Sequence, residues 1–285
     1  TSGSINSPLV LVGEAPGAEE ERQGGAFVGS AGQLLNMLLN SAGLQRDQCY
    51  IDNVFQFRPE GNNLAPYITF SSSRVRESEL YVKHKAALIE RLDKTSANLI
   101  VTLGNVPTYA LTGRHGITKL RGSILRSEVL GGRKILPCIH PAAALREYLF
   151  RYHIVHDFNL AKSQLGFPDI RLPRRELSLS PRLSEAIEFI SHCEHLPAAA
   201  YDIETRGQEL SHISLAASST EGMCIPFIDG QQDYWSPDDE LEIILALSSF
   251  LENPCVTKIG QNLAFYATFL YSKYGIVTTP LQDTM

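Results

Sequence analysis

Short apolar runs alternate with helical patterns over the first 165 residues, and this alternation limits the possible folds more than any other property of the chain. Helical stretches such as residues 79–94 carry the 3.6-residue apolar spacing. Strands that alternate with helices predict an α/β fold with a mostly parallel sheet covered on both faces. Ligands bind such sheets at the carboxyl ends of strands. The apolar runs of strand length are residues 8–13, 50–55, 98–104 and 134–140.

The chain has 285 residues, which favours two domains, each large enough to bury its own core. We predict a first domain at residues 1–165 and a second at residues 182–285. The stretch 166–181 contains three prolines and no clear period, so it is predicted to be the linker. The second domain again mixes strand and helix patterns.

The distribution of charge points to a local nucleic-acid surface. The net charge of −6 argues against indiscriminate binding to phosphates. Residues 111–175, however, contain twelve Lys or Arg and four acids. This stretch is either a DNA-binding surface or a solvated basic face without a partner.

The expected location is the cytoplasm, which would be that of a bacterial host if the protein is viral. Five widely spaced cysteines, without a CxxC pair, are typical of reduced cytosolic thiols. We found no apolar run long enough to cross a membrane and no signal peptide, so no membrane partner is expected.

Four separated motifs share one order along the chain. They are GEAPG at 13–17, AFVGSAGQLL at 26–35, a strand ending in Asn53, and HPAAALR at 140–146. This pattern resembles the uracil-DNA glycosylase superfamily, particularly its family 4 branch, over roughly residues 8–160. The resemblance implies a three-layer α/β/α fold and excision of uracil from DNA by base flipping.

The resemblance assigns the chemistry to two residues. Glu14 is expected to face the sugar and its attacking water, and His140 to donate a hydrogen bond toward uracil O2. Cleavage of an N-glycosidic bond develops positive charge on the sugar and negative charge on the departing base. A carboxylate and an imidazole therefore suit the two ends of that bond.

Five further residues are expected to hold the base and the DNA. Phe27 would stack on the extruded base, Asn53 would pair with the uracil edge and reject cytosine, and Ala15 would offer its backbone N–H. Leu145 would act as an apolar wedge in the emptied stack, and Arg146 would contact a phosphate.

Four of these residues also have ordinary structural explanations. Glu14 could be a charge at a helix N-terminus, and Phe27 could be a core aromatic. Asn53 could be a turn residue, and His140 before proline could be a satisfied structural histidine. Their joint occurrence in the family order favours the site.

The chain departs from family 4 where that family binds an iron-sulfur cluster. One cluster cysteine of the family lies in a KCRPP segment, and here the corresponding stretch is QFRPE with Phe57 in that place. The next expected cysteine is also missing around Arg74 to Leu80. We therefore predict no iron-sulfur cluster.

Residues 198–285 resemble the 3′-5′ proofreading exonuclease domain of family A DNA polymerases, which implies an RNase H-like (DnaQ-type) fold. The resemblance rests on YDIET at 201–205, GQNLAFY at 260–266 and LQDTM at 281–285. Asp202 and Glu204 alternate along a strand, so they share a face and could hold Mg²⁺ or Mn²⁺ for two-metal catalysis. The alternative is a pair of solvated acids on an edge strand.

Two departures predict that this exonuclease is inactive. Tyr266 stands where the family has its second-motif aspartate, and a neutral phenol is a poor Mg²⁺ ligand. The family's third motif is not within the chain. We expect an exonuclease domain that is truncated, that is, incomplete at its C-terminus.

The order of the two domains resembles certain bacteriophage DNA polymerases, in which a polymerase domain follows. We therefore expect the front part of such an enzyme, acting on single-stranded or primer-template DNA, with an active glycosylase and an inactive exonuclease. Two alternatives keep the fold without the chemistry. In one the first domain senses uracil or the template strand, and in the other it docks a replication protein.

Overall fold

A computed structural model describes residues 1–71 and 74–285. The internal contacts divide the chain into two compact units, Thr1–Arg171 and Leu172–Met285. Within the described residues, every helix is too short or too polar to traverse a bilayer.

The first unit contains seven strands and seven α-helices among its described residues. The strands are β1 (Leu9–Gly13), β2 (Cys49–Asn53), β3 (Ile68–Phe70), β4 (Val75–Glu77), β5 (Leu99–Leu103), β6 (Leu125–Arg126) and β7 (Lys134–Cys138). The helices are α1 (Ala18–Gln23), α2 (Ser30–Ser41), α3 (Glu79–Asp93), α4 (Asn105–Thr112), α5 (Ile117–Leu120), α6 (Pro141–Ala144) and α7 (Phe150–Gln164).

The main sheet has the strand order β2-β1-β5-β7-β6. Its first four strands are parallel, and the short edge strand β6 runs antiparallel to β7. The four runs that the sequence predicted as strands form this parallel part, and the helix predicted at 79–94 is α3. The hairpin of β3 and β4 was not predicted, because three-residue strands carry too little pattern.

Alternate residues of each central strand face opposite layers of helices. Leu9 and Leu11 of β1 belong to a core cluster that includes residues of α2 and α7. Val10 and Val12 belong to a second cluster, which includes residues of α3 and α4. The first unit is therefore the three-layer α/β/α sandwich expected from the sequence.

The second unit is built on one mixed sheet. The strands of this unit are β8 (Glu176–Ser178), β9 (Ala198–Arg206), β10 (Glu209–Ala216), β11 (Glu221–Pro226), β12 (Ile228–Asp229), β13 (Gln232–Asp233), β14 (Thr257–Gly260) and β15 (Leu281–Asp283). Strands β12 and β13 form a separate two-stranded hairpin. The helices of this unit are α8 (Leu183–Glu194), α9 (Pro237–Glu252) and α10 (Leu263–Tyr274).

The sheet of the second unit has the order β15-β14-β9-β10-β11-β8. Strands β9, β10 and β11 form an antiparallel meander, whereas β14 and β15 continue from β9 in parallel. Helices α8, α9 and α10 contribute to the core against this sheet. This mixed arrangement agrees with the RNase H-like fold that the sequence predicted.

The stretch predicted as a linker, 166–181, is not free of secondary structure. Glu176–Ser178 forms β8, which pairs in parallel with Glu221–Met223 of β11. Such a short edge strand forms because a distant strand offers unpaired backbone groups, so its own residues carry no periodic pattern. The contact boundary after Arg171 lies within the same stretch.

Candidate functional site

A cavity of about 770 Å³ opens at the carboxyl ends of the parallel strands of the first unit. This volume is within the usual range of ligand sites. The seven residues that the sequence predicted for the first site come from five separate segments of the chain, and all seven line this cavity: Glu14, Ala15, Phe27, Asn53, His140, Leu145 and Arg146.

Glu14 follows the last residue of β1 and lies in the wall of the cavity. Burial raises the pKa of its carboxyl group to about 7, and a backbone hydrogen bond with Val106 opposes that rise. Gly104, after β5, makes room for this side chain, because a Cβ atom there would lie 2.6 Å from Glu14 Oε1. Glu14 is therefore a carboxyl group that can exchange a proton near neutral pH.

His140 begins the short helix α6, where its Nδ1 accepts a hydrogen bond of 3.1 Å from the backbone N–H of Ala142. Burial lowers the pKa of His140 to about 4, so the ring is neutral at neutral pH. Because Nδ1 acts as an acceptor, the single ring proton is on Nε2. The hydrogen bond with Ala142 thus uses Nδ1 and leaves the Nε2–H group for another partner.

Phe27 lies in the wall of the cavity with its ring centroid 5.6 Å from that of His140 and an angle of 33° between the planes. The side chain is buried, and its backbone has a φ of +52°, in the left-handed region that non-glycine residues avoid. Arg46 stabilises this conformation by donating to the carbonyl groups of Ala26 and Phe27 and to Asn36 Oδ1. Phe27 is both a core residue and a wall of the site.

Asn53 ends β2, and its buried side-chain oxygen has no hydrogen-bond partner among the described residues. Its backbone is fixed by Asp52, whose carboxylate accepts from the Asn53 N–H and forms an ion pair of 2.8 Å with Arg91. Arg91 also donates to the Asn53 carbonyl at 3.1 Å. A buried polar atom without a partner is costly unless a ligand supplies one.

The sequence analysis missed four residues that shape this site: Gly13, Glu20, Arg46 and Gly104. A Cβ atom on Gly13 would lie 2.6 Å from the Phe27 ring, and closer still to Asn53 Oδ1. Glu20 accepts at 2.9 Å from the backbone N–H groups of Val28 and Gly29, which orders the chain after Phe27. Gly13 stands within the quoted GEAPG motif, whereas Glu20 and Arg46 lie outside the quoted motifs and have no local pattern to reveal them.

The residues present do not fit the iron-sulfur cluster of family 4. Phe57, at a ligand position of the family, packs with its ring centroid 5.2 Å from that of His84 and 5.5 Å from that of Tyr67. The described cysteines of the first unit, Cys49 and Cys138, are buried in β2 and β7. Such a cluster needs four thiolates, and the first unit supplies two buried cysteines among its described residues.

The second unit brings together the three residues that the sequence analysis singled out there. Asp202 and Glu204 are exposed on the same face of β9. The phenol of Tyr266, on α10, donates a short hydrogen bond to Asp202 Oδ1, and this bond raises the pKa of Tyr266 to about 12. Among residues 1–71 and 74–285, no group of three His, Cys, Asp or Glu is arranged for a metal ion. The residues present therefore do not fit the two-ion site.

Sequence comparison places the first unit in a known family. Residues 1–159 match the family described as the uracil DNA glycosylase superfamily. The chain belongs to the uracil DNA glycosylase superfamily. A type-4 uracil-DNA glycosylase of Thermotoga maritima is 34% identical over 165 residues, which are 56% of this chain and 79% of that protein.

Two further similarities each involve only part of the other protein. A DNA polymerase of Bacillus phage SP01 is 28% identical over 213 residues, covering 71% of this chain and 21% of the polymerase. The solved structure of Escherichia coli RNase D, an exoribonuclease, aligns with 39% of this chain and 28% of its own, at 19% identity and a TM-score of 0.29. The chain thus spans only a small part of each of these two proteins.

Proposed function

We propose that the first unit excises uracil from DNA. The observation that carries this proposal is the convergence of Glu14, Phe27, Asn53 and His140 on one cavity. The unpartnered oxygen of Asn53 is suited to accept from the N3–H of a uracil, which cytosine lacks. Phe27 offers a ring face for stacking, as expected for a base taken out of the helix.

The proposed reaction breaks the bond between C1′ of the sugar and N1 of uracil, and the base leaves with the electron pair. The Nε2–H of neutral His140 donates to uracil O2, where negative charge develops. A water molecule adds to C1′ and gives its proton to the Glu14 carboxylate. Glu14 returns this proton to the solvent and the uracil anion takes one up, so the products are free uracil and an abasic sugar.

Incubation of the chain with uracil-containing single-stranded DNA, followed by alkali, tests this function. We expect strand breaks at uracil and none in the same oligonucleotide with thymine. If excess protein produces no breaks but still binds uracil DNA more tightly than thymine DNA, the first unit is a sensor. If it makes no distinction between the two, a docking role remains and the catalytic proposal fails.

We also propose that the chain is the front part of a phage-type DNA polymerase, with predicted domains at 1–165 and 182–285. The similarity to the phage SP01 polymerase supports this proposal because it extends over 71% of the chain. The second unit would then be a proofreading-type domain that contacts DNA without cleaving it. Asp202 accepts a hydrogen bond from Tyr266, and the described part of the chain places no third His, Cys, Asp or Glu beside Asp202 and Glu204 for a metal ion.

Replacing Tyr266 with Asp is expected to create a metal-binding site in the second unit. The change removes the phenol from Asp202 and adds a third carboxylate on the same face. With free Mn²⁺ at about a hundred times Kd, the free energy of unfolding should rise by about 2.7 kcal/mol. Thermal unfolding with and without MnCl₂ measures this. Tyr266→Phe, which adds no ligand, should not respond, and an equal Mn²⁺ response of the unaltered chain would contradict the prediction.

A further inference from the structure

An exposed apolar segment begins at Leu145, near the end of the HPAAALR motif of the first unit. Leu145 is 46% exposed, Tyr148 is 60%, Leu149 is 63% and Tyr152 is 64%. Single exposed apolar side chains are ordinary on a protein surface, whereas a contiguous group marks an interaction site. Tyr148, Leu149 and Tyr152 belong to neither core cluster of the described residues of the first unit. We call Tyr148, Leu149 and Tyr152 the aromatic ridge.

The aromatic ridge is continuous with the cavity. Leu145, Arg146 and Phe150 line the cavity, and the ridge residues alternate with them along the chain. The Tyr148 and Tyr152 rings lie 5.9 Å apart in an edge-to-face arrangement. A strand that delivers one nucleotide to the cavity would therefore pass directly beside these rings.

The charge around the ridge is complementary to a phosphate backbone. The guanidinium carbon of Arg151 lies 4.6 Å from the centroid of the Tyr148 ring. Arg146 precedes the ridge and Arg151 lies between Leu149 and Tyr152, and Glu147 is the single acid between Leu145 and Tyr152. Aromatic rings interleaved with arginines are the arrangement that binds single-stranded nucleic acids by stacking and by charge.

We propose that the aromatic ridge is a stacking platform for the unpaired bases of single-stranded DNA that adjoin the flipped nucleotide. The base faces of a single strand are free to stack on Tyr148 and Tyr152, whereas those of a duplex are already stacked on their neighbours. Arg151 contacts a phosphate of the same strand. The position of these bases next to the flipped nucleotide rests on the proposed function. The stacking of unpaired bases on Tyr148 and Tyr152 does not depend on it.

The test uses the full chain and a fluorescein-labelled oligothymidylate without uracil, as a single strand and as a duplex with oligodeoxyadenylate. Affinity is measured by fluorescence anisotropy at one fixed salt concentration. Tyr148→Ala and Tyr152→Ala should each weaken single-strand binding by about tenfold. Duplex binding should change by less than about twofold, and Tyr148→Phe and Tyr152→Phe should bind normally because the phenyl ring still stacks.

Val82→Ala, at an exposed position outside the cavity, is the matched control and should bind normally. Unchanged single-strand affinity in the Tyr148→Ala/Tyr152→Ala double variant would overturn the proposal and would indicate a protein-docking ridge. Equal losses on single strand and duplex would also overturn it. Because the probe contains no uracil, a failure of uracil release leaves this result intact, and the two proposals fail independently.

Discussion

Replacing Glu14 with Gln is expected to lower the rate of uracil release by about 10²–10⁴-fold, because a positioned carboxylate is lost from the transition state. Glutamine has nearly the same shape, so the cavity and the affinity for DNA should be retained. Single-turnover release of uracil from a labelled oligonucleotide measures the rate. A rate within about threefold of the unaltered chain would rule out the role assigned to Glu14.

The pH dependence provides a second test of Glu14. The pKa of this carboxyl group is about 7, and the proposed reaction needs the ionised form. The single-turnover rate should therefore rise with pH and level off above about 7. His140, with a pKa of about 4, stays neutral from pH 5 upward and adds no second limb there. In Glu14→Gln the rising limb should disappear, and its persistence would assign the titration to another group.

Ionisation of the Glu14 carboxyl group should raise the rate of uracil release but lower the free energy of unfolding. Its pKa is raised in the folded state relative to the ordinary 4.5. Below pH 4.5 this group therefore leaves the free energy of unfolding unchanged, and as the pH rises from about 4.5 to about 7 the free energy of unfolding falls. Glu14→Gln should recover about 1–3 kcal/mol above pH 7, measured by urea unfolding. Such a loss of stability is a common cost of a group that is placed for activity, as we propose for Glu14.

Replacing Gly13 with Ala is expected to lower uracil release by about 10²-fold, because small displacements of positioning groups have effects of that size. The added Cβ would lie 2.6 Å from the Phe27 ring and closer still to Asn53 Oδ1. Both side chains must shift, so the ring and the amide lose their common geometry. Overpacking should also cost about 1–3 kcal/mol of stability.

Gly166→Ala is the matched control for this change. A Cβ at Gly166 would have no heavy atom within 4 Å, so its rate of uracil release should match that of the unaltered chain. Uracil release is measured for both variants under single-turnover conditions, and folding is checked by thermal unfolding. A folded Gly13→Ala chain with normal uracil release would show that Phe27 and Asn53 need not be held as the structure has them.

The fold was predictable where pattern and burial coincide. The parallel strands β1, β2, β5 and β7 are buried along their whole length, so each lies in a largely apolar run. Elements whose formation depends on a distant partner were not predictable. The edge strand β8 is one example, because its pairing with β11 leaves no trace in its own three residues.

The motifs of the chain indicated the family and selected seven residues that line one cavity, because their types and order follow the chemistry proposed for the sugar and the base. The protonation states came only from the tertiary structure, since burial moves the pKa of Glu14 up and that of His140 down. The hydrogen bond from Arg46 to the Phe27 carbonyl and the one from Tyr266 to Asp202 also form only in the tertiary structure. These properties arise between residues distant in the sequence, and no local pattern encodes a distance or a loss of solvent.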